Sequence, residues 1–297
     1  MKSYVLITPA RNEADYIEKT ITSVINQTFL PQKWIIVSDG STDGTDEIVN
    51  KYVPKYNFIE LMRKNNDENR NFGSKARAIS LAYNELKELD FEFIGNLDAD
   101  VSLESNYYEK ILSEFDTNPR LGIAGGIRYD LTDGKFYKLE CAPDSVGGPF
   151  QLFRRECYEG IGGFKPSKFG GIDAIAEITA RMNGWEVKMF PQYQILHYRA
   201  TGTAINNVFK QKFKIGLKFY SLGYHPVFQL LRIYKTIKLK PFFLGSLITL
   251  FGYLWAVIRR FPRPVSNEFV KYLRSEQIQK MKSFTRLRLQ KFLRRVK

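Results

Sequence analysis

The sequence predicts an α/β domain built on an open, mostly parallel central sheet with helices on both faces, followed by C-terminal membrane-associated helices. Three observations predict it. Apolar strand-like runs alternate with segments of helical period over the first third of the chain. Acidic clusters follow those runs directly, at the carboxyl ends of strands, where an open parallel sheet keeps its ligands. The charge also divides the 297-residue chain: residues 210–297 hold 21 Lys/Arg against Glu268 and Glu276, a net +19, while residues 1–209 carry −5. The overall +14 therefore describes neither part, and a basic tail on a mildly acidic body implies an attachment device beside a catalytic domain.

The elements follow in order. Tyr4-Val5-Leu6-Ile7-Thr8 reads as a buried strand, residues 13–27 as a helix with Ile17, Ile21, Val24 and Ile25 on one face, and Trp34-Ile35-Ile36-Val37-Ser38 as the second strand. A helix over Thr45–Tyr52, a strand over Phe58–Leu61 and a polar loop over 64–71 come next. A helix over Lys75–Leu86 and a strand over Phe91–Leu97 complete the regular half. From residue 120 the pattern reads as irregular and Gly-rich (Gly122, Gly125, Gly126, then the pairs at 147, 162 and 170), the material of turns and of close approach to a substrate. A helix over 173–183 and a strand over 186–190 close the domain. Residues 1–204 are expected to form the catalytic domain and 205–297 a basic, apolar helical region. Cys141 and Cys157 have no disulfide-framework or zinc-ligand spacing. The N-terminal apolar run stops at Pro9 and Arg11, too short for a signal core, so a cytoplasmic domain is expected.

Three acidic groups carry chemistry. Asp39-Gly40-Ser41-Thr42-Asp43-Gly44-Thr45 follows the second strand; a carboxylate there accepts the imide hydrogen of a uracil ring, or simply builds a capped turn. Asp98-Ala99-Asp100 follows the strand ending at Leu97. Two carboxylates flanking one small residue converge on a hard cation, Mn2+ or Mg2+, which also binds the oxygens of a departing nucleoside diphosphate. The third group lies at Asp173 and Glu177, one helical turn apart.

These pieces resemble the inverting glycosyltransferases of family 2, which have the GT-A fold. The likeness rests on Thr8-Pro9-Ala10-Arg11-Asn12-Glu13, Val37 to Thr45, Leu97-Asp98-Ala99-Asp100, and Phe153-Arg154-Arg155 with Gly162-Gly163-Phe164, in family order across residues 3–200. The resemblance implies that Pro9, Arg11 and Glu13 line a nucleotide pocket, that Asp39 contacts the base, and that Asp98 and Asp100 hold the metal and donor. It implies donor contacts for Lys75 and Arg77, whose other reading is a helix-surface cation. The family's Glu-Asp pair is here Ile172-Asp173, ahead of Arg181-Met182-Asn183-Gly184; Asp173 is thus the base candidate and Glu177 the reserve, an N-terminal cap being the alternative for Asp173. His197 is a candidate third metal ligand or a structural histidine, and Arg199 a diphosphate contact. The expected partners are a nucleotide-sugar donor, with UDP favoured, and a lipid-linked or glycan acceptor. A nucleotidyltransferase and an inactive membrane scaffold of the same fold are the competing readings.

Residues 242–258 form a long uncharged run between basic flanks, Lys235, Lys238 and Lys240 before it and Arg259, Arg260 and Arg263 after. As a helix it would extend about 25 Å, short of a hydrocarbon core of about 30 Å. A re-entrant or interfacial helix suits both flanks; a single span and a core helix are the alternatives. Residues 271–297 add ten basic residues and one acid, suited to an anionic membrane surface. No base-stacking or groove-reading motif accompanies them, which excludes nucleic acid. The Q-x-x-R-W signature of processive family members is missing, so addition of a single sugar is expected, at the cytoplasmic face of the plasma membrane.

Overall fold

Four strands form the parallel heart of the sheet in a computed structural model that describes residues 2–64, 73–199, 207–237 and 242–296. They are β1 (Tyr4–Ala10), β2 (Lys33–Ser38), β3 (Ile59–Arg63) and β4 (Phe93–Asn96). The apolar runs of β1, β2 and β4 reflect burial of both strand faces, with no solvent side to alternate with, whereas β3, at the sheet edge, carries Glu60 and Arg63 and is only partly buried. The polar loop 65–71, the flanking Lys238 and Lys240, and Lys297 lie outside the described residues.

The chain forms two compact units, one of residues 1–168 with 172–203 and one of residues 169–171 with 204–297. In the first unit β5 (Val101–Leu103), β6 (Leu121–Thr132), β7 (Lys135–Lys138), β8 (Leu152–Arg154) and β9 (Glu186–His197) extend the sheet. The order is β3-β2-β1-β4-β8-β6-β9-β5, with β7 paired to β6. Helices α1 (Ile17–Ile25), α2 (Thr45–Asn50), α3 (Gly73–Leu86), α4 (Tyr107–Thr117), α5 (Arg155–Gly160) and α6 (Ile172–Met182) complete the unit. The first begins later than residue 13 because Tyr16 and Ile17 both donate to the Glu13 carbonyl, closing a turn first.

The stretch from residue 120 is not irregular, as the glycines suggested. It is the long strand β6, and the glycines are where its neighbours press closest. A Cβ on Gly126 would fall 2.1 Å from the Tyr193 carbonyl oxygen, and one on Gly125 would fall 2.3 Å from Val146 Cγ1. Glycine erases the side-chain alternation that announces a strand while admitting that approach. The turn into β7 is Asp133-Gly134, both at positive φ, the geometry of a tight hairpin.

The second unit contains α7 (Val208–Ser221), α8 (Pro226–Thr236), α9 (Phe242–Ile258) and α10 (Asn267–Val296). Helices α7 and α9 meet backbone to backbone: a Cβ on Gly216 would lie 2.2 Å from the Thr249 oxygen, and one on Gly252 2.3 Å from the Phe213 oxygen. Leu217, Tyr220, Tyr253 and Ala256 form its core, with Phe169 stacked on Phe261. The apolar run expected over 242–258 is one helix with those bounds. Among the described residues no helix is long and apolar enough to cross a membrane.

Candidate active site

Strands β1, β2 and β4 end side by side, with Ala10 paired to Ser38 and Ile7 to Asn96. The loops leaving the first two are stitched together. Asn12, at φ 54°, donates its N–H to Ser41 Oγ (3.2 Å) and accepts from Thr42 N–H (2.9 Å). Glu13 N–H donates to Thr45 Oγ1 (2.8 Å), and Ala14 N–H to Asp43 (3.0 Å). Asp43 also accepts from the Thr45 N–H (3.1 Å), so it is the acid that builds the turn. Asp39 is left for other work, its carboxylate 3.1 Å from Lys64 Nζ and 3.8 Å from Arg11 Nη1. Pro9 lies one residue before the end of β1.

Past β4, the Asp98 N–H donates to the Pro149 carbonyl (2.8 Å) and its carboxylate accepts from Lys75 Nζ. Arg77, half a turn along α3, donates to Ser74 Oγ (3.1 Å). Asp100 is buried, with His197 Nε2 at 3.5 Å and Arg199 Nε at 3.7 Å. His197 Nδ1 meets Asp130 Oδ1 at 3.0 Å, Asp130 is 2.8 Å from Arg128, and Arg199 also pairs with Glu13. The strand register dictates this chain of charges, because β9 sets His197 opposite both Val101 and Asp130. Arg128 and Asp130 escaped the sequence reading; charged residues at i and i+2 were the available signal, lost when β6 was not recognised.

The electrostatics follow from burial set against partners. Burial opposes the charge on Asp100, yet His197, Arg199 and Lys75 outweigh it and hold the carboxyl below its usual range. Burial also disfavours a charged His197, but hydrogen bonds to Asp100 and Asp130 raise it to about 9. For Glu13, burial and the Asp100 charge raise the carboxyl to about 7 against the pull of Arg199.

Asp173 stands at the start of α6. A Cβ on Gly148 would fall 2.9 Å from its Oδ2 and 3.0 Å from its Cβ, so the backbone passes close against this side chain. Gly148 opens a 3₁₀ turn through Phe150. Its carbonyl accepts from Asn96 Nδ2 (2.6 Å), and the next carbonyl, Pro149, takes the Asp98 bond. Glu177 does not stand open beside Asp173, as its helical spacing had suggested. It is 4% exposed and turns inward. Its Oε1 accepts from Val146 N–H (2.7 Å) and Gln151 Nε2 (3.0 Å), and Oε2 lies 2.9 Å from Ser145 Oγ. Three donors on this carboxyl favour its charge, but burial, then the Asp173 charge, outweigh them and raise it to about 8.

That shift has a measurable consequence. A carboxyl ordinarily near 4.5 and held near 8 in the fold contributes stability that is complete below pH 4.5 and lost as pH rises toward 8. Unfolding free energy is expected to fall across that interval by up to about 1.4 kcal/mol per pH unit from this group. Glu177→Gln, which keeps an acceptor for Val146, should flatten the slope in denaturant titrations run at successive pH values.

Asp98 and Asp100 with His197 offer oxygen and imidazole donors of the kind that suit Mn2+, and the carboxylates alone suit Mg2+. The donor types fit. In this arrangement Lys75 and His197 neutralise the carboxylates, and among the described residues no three His, Cys, Asp or Glu side chains are grouped to hold a metal.

The family profile described as Glycosyl transferase family 2 matches residues 5–175. Poly-beta-1,6-N-acetyl-D-glucosamine synthase of Staphylococcus epidermidis is 26% identical over 257 residues, 77% of this chain and 56% of that protein. Hyaluronan synthase of Pasteurella multocida is 34% identical over 107 residues, covering 36% of this chain and 10% of that one. The chain thus spans little more than half the length of the synthase. Among solved structures, the mannosyltransferase PcManGT from Pyrobaculum calidifontis, in complex with GDP-Man and Mn2+, superposes with a TM-score of 0.57 at 17% identity, covering 86% of this chain and 75% of that one. S. aureus TarS 1-349 in complex with UDP-GlcNAc gives 0.53 at 16% identity, covering 76% and 68%. At such identities the likeness establishes the α/β GT-A-like fold.

Proposed function

The chain belongs to glycosyl transferase family 2 and is a glycosyltransferase, and from that premise we propose that it moves a single sugar, with inversion, from a UDP-sugar to a membrane-associated, polyprenyl-linked saccharide in cell-surface glycan synthesis. Family membership removes the nucleotidyltransferase alternative. The observation that carries the mechanistic reading is the turn Gly148–Phe150. Its backbone binds Asp98 on one side and lies against Asp173 on the other, so a donor-side and an acceptor-side carboxylate are fixed to one short element.

In this reading Asp39 accepts the uracil imide N–H, steadied by Arg11 and Lys64, while Pro9 and Glu13 line the same pocket. Lys75, Arg77 and Arg199 meet the diphosphate. Asp98 and Asp100 would hold Mn2+ or Mg2+, with His197 as a further ligand once it has shed its proton; the bound cation offsets charge on the leaving diphosphate. Asp173 takes the proton of the acceptor hydroxyl, whose oxygen bonds to the anomeric carbon as the carbon–diphosphate bond breaks on the opposite face. Glu177 is a positioning residue for segment 145–151. The basic second unit attaches the enzyme to an anionic membrane surface at the cytoplasmic face.

The test is a donor screen reading released nucleotide, with UDP-GlcNAc first because a solved neighbour binds it and a curated relative is named for an N-acetylglucosamine polymer. UDP release from one UDP-sugar, above that from GDP- or dTDP-sugars, is the expected result. Preference for a GDP-sugar, the kind of donor in the PcManGT complex, would overturn the role given to Asp39.

A further inference from the structure

Around the core of the second unit, helices α8 and α9 turn most of their large apolar side chains outward. Helix α9 turns Gly245, Ser246, Thr249, Gly252 and Ala256 inward and leaves Leu244, Leu247, Phe251, Leu254 and Ile258 exposed, from 42% at Leu247 to 74% at Ile258. The exposed residues step by three and four, which is one continuous helix face. Helix α8 repeats the inversion, with Gln229 1% exposed while Leu230, Leu231 and Tyr234 face outward. The inward hydroxyls of α8 and α9 are hydrogen-bonded: Thr236 meets Ser246 (3.2 Å), and Thr249 donates to the Gly245 carbonyl (2.9 Å).

Water would select the opposite arrangement. Burying small and polar groups while exposing leucine and phenylalanine forfeits the hydrophobic term that folds a soluble bundle, and contiguous apolar patches of this kind mark interaction sites. In hydrocarbon the logic reverses. Helices gain nothing by hiding leucine from acyl chains, and they associate through small residues and hydrogen bonds, as Gly216 and Gly252 let α7 and α9 do.

We propose that α8 and α9 form a monotopic insertion that lies within one leaflet of an anionic bilayer, with the Leu244–Ile258 stripe and the Leu230–Tyr234 face among the acyl chains. The commitment to lipid rests on charge. The stripe ends at Arg259 and Arg260, both exposed, Arg232 is exposed on α8, and residues 210–297 carry +19, the complement of anionic headgroups. The commitment to a single leaflet rests on length and on the buried face: α9 has 17 residues, about 25 Å, and one side of it is occupied by α7. The proposal rests on the membrane attachment put forward above and specifies its depth and the residues that enter.

The experiment is flotation of the full chain with vesicles of phosphatidylcholine, alone or mixed with phosphatidylglycerol, at low and high salt. The protein is expected to float with the anionic vesicles and to stay bound when salt screens the charges. Leu247→Glu with Leu254→Glu should weaken partitioning by about tenfold or more per substitution, with circular dichroism, and UDP release measured without vesicles, unchanged because both side chains are exposed and neither belongs to the proposed donor or base residues. Quenching of Trp255 fluorescence by acyl-chain-brominated lipid, absent in Trp255→Phe, would support the depth. Binding that high salt abolishes and the double variant leaves intact overturns the insertion while sparing membrane attachment. Failure to bind any vesicle overturns both. A soluble wild-type dimer that the double variant dissociates, without vesicle binding, assigns the stripe to a second copy of the chain and overturns the proposal.

Discussion

Asp173→Asn should lower the rate of sugar transfer by about 10² to 10⁴ and leave UDP binding unchanged. The substitution keeps the shape of the side chain and its close approach to Gly148, and it removes the negative charge and with it the capacity to take a proton. The two sides of the site can therefore be separated: kcat falls, while the UDP dissociation constant, read by calorimetry, does not. Glu177→Gln is the matched comparison. Glu177 touches segment 145–151 through Ser145, Val146 and Gln151, so its loss acts through the placement of the turn and should be milder. If Asp173→Asn transfers at the wild-type rate and Glu177→Gln does not transfer at all, the roles assigned to these two acids are reversed. Removing the Asp173 charge also removes one of the influences that raise the Glu177 carboxyl, so the Glu177-dependent slope of stability against pH should move to lower pH in the same variant.

The parts of this site that could be read from sequence share a physical reason. Strands buried on both faces announce themselves as apolar runs, and the acids just beyond Ser38 and Leu97 stand out because such a run, Trp34 to Val37 or Phe93 to Gly95, leads up to each. Asp130 and Arg128 did not stand out, because β6 carries its glycines where Val146 and Tyr193 press in, and a strand without alternating side chains resembles a loop. The direction of Glu177 was equally hidden. Four residues after Asp173 on α6 it shares a general helix face, but three donors from segment 145–151 decide that it turns inward, and a helical period contains no information about them. In the second unit the bounds of α9 were legible because charges stop at Lys240 and resume at Arg259. Which face would be buried was not, since small residues in an apolar run look like weak hydrophobes until Gly216 and Gly252 are found in backbone contact.

Asp100→Ala should abolish turnover, a loss of about 10³-fold or more, equivalent to about 4 kcal/mol of transition-state stabilisation. Asp100 is the node of the buried charge chain, facing His197 at 3.5 Å and Arg199 at 3.7 Å. Without its carboxylate, among the described residues His197 keeps Asp130 as its anionic partner and Arg199 keeps Glu13. Two readouts separate loss of the proposed metal site from loss of fold. The first is Mn2+ binding in the presence of UDP, followed by the electron paramagnetic resonance signal of the free ion; wild type should deplete that signal and Asp100→Ala should not. The second is stability against pH without metal. A histidine raised from 6.5 to about 9 in the fold contributes stability that is full below pH 6.5 and lost as pH rises through 9. Removing Asp100 takes away its foremost favourable partner, so the variant should lose stability mainly on the acid side of that window and approach wild type above it. Chelation of divalent ions should silence wild-type transfer to the level of the variant. Transfer that proceeds unchanged in the presence of chelator, or an Asp100→Ala enzyme that turns over normally, would remove the metal from the mechanism and leave Asp100 as the structural counter-ion of His197.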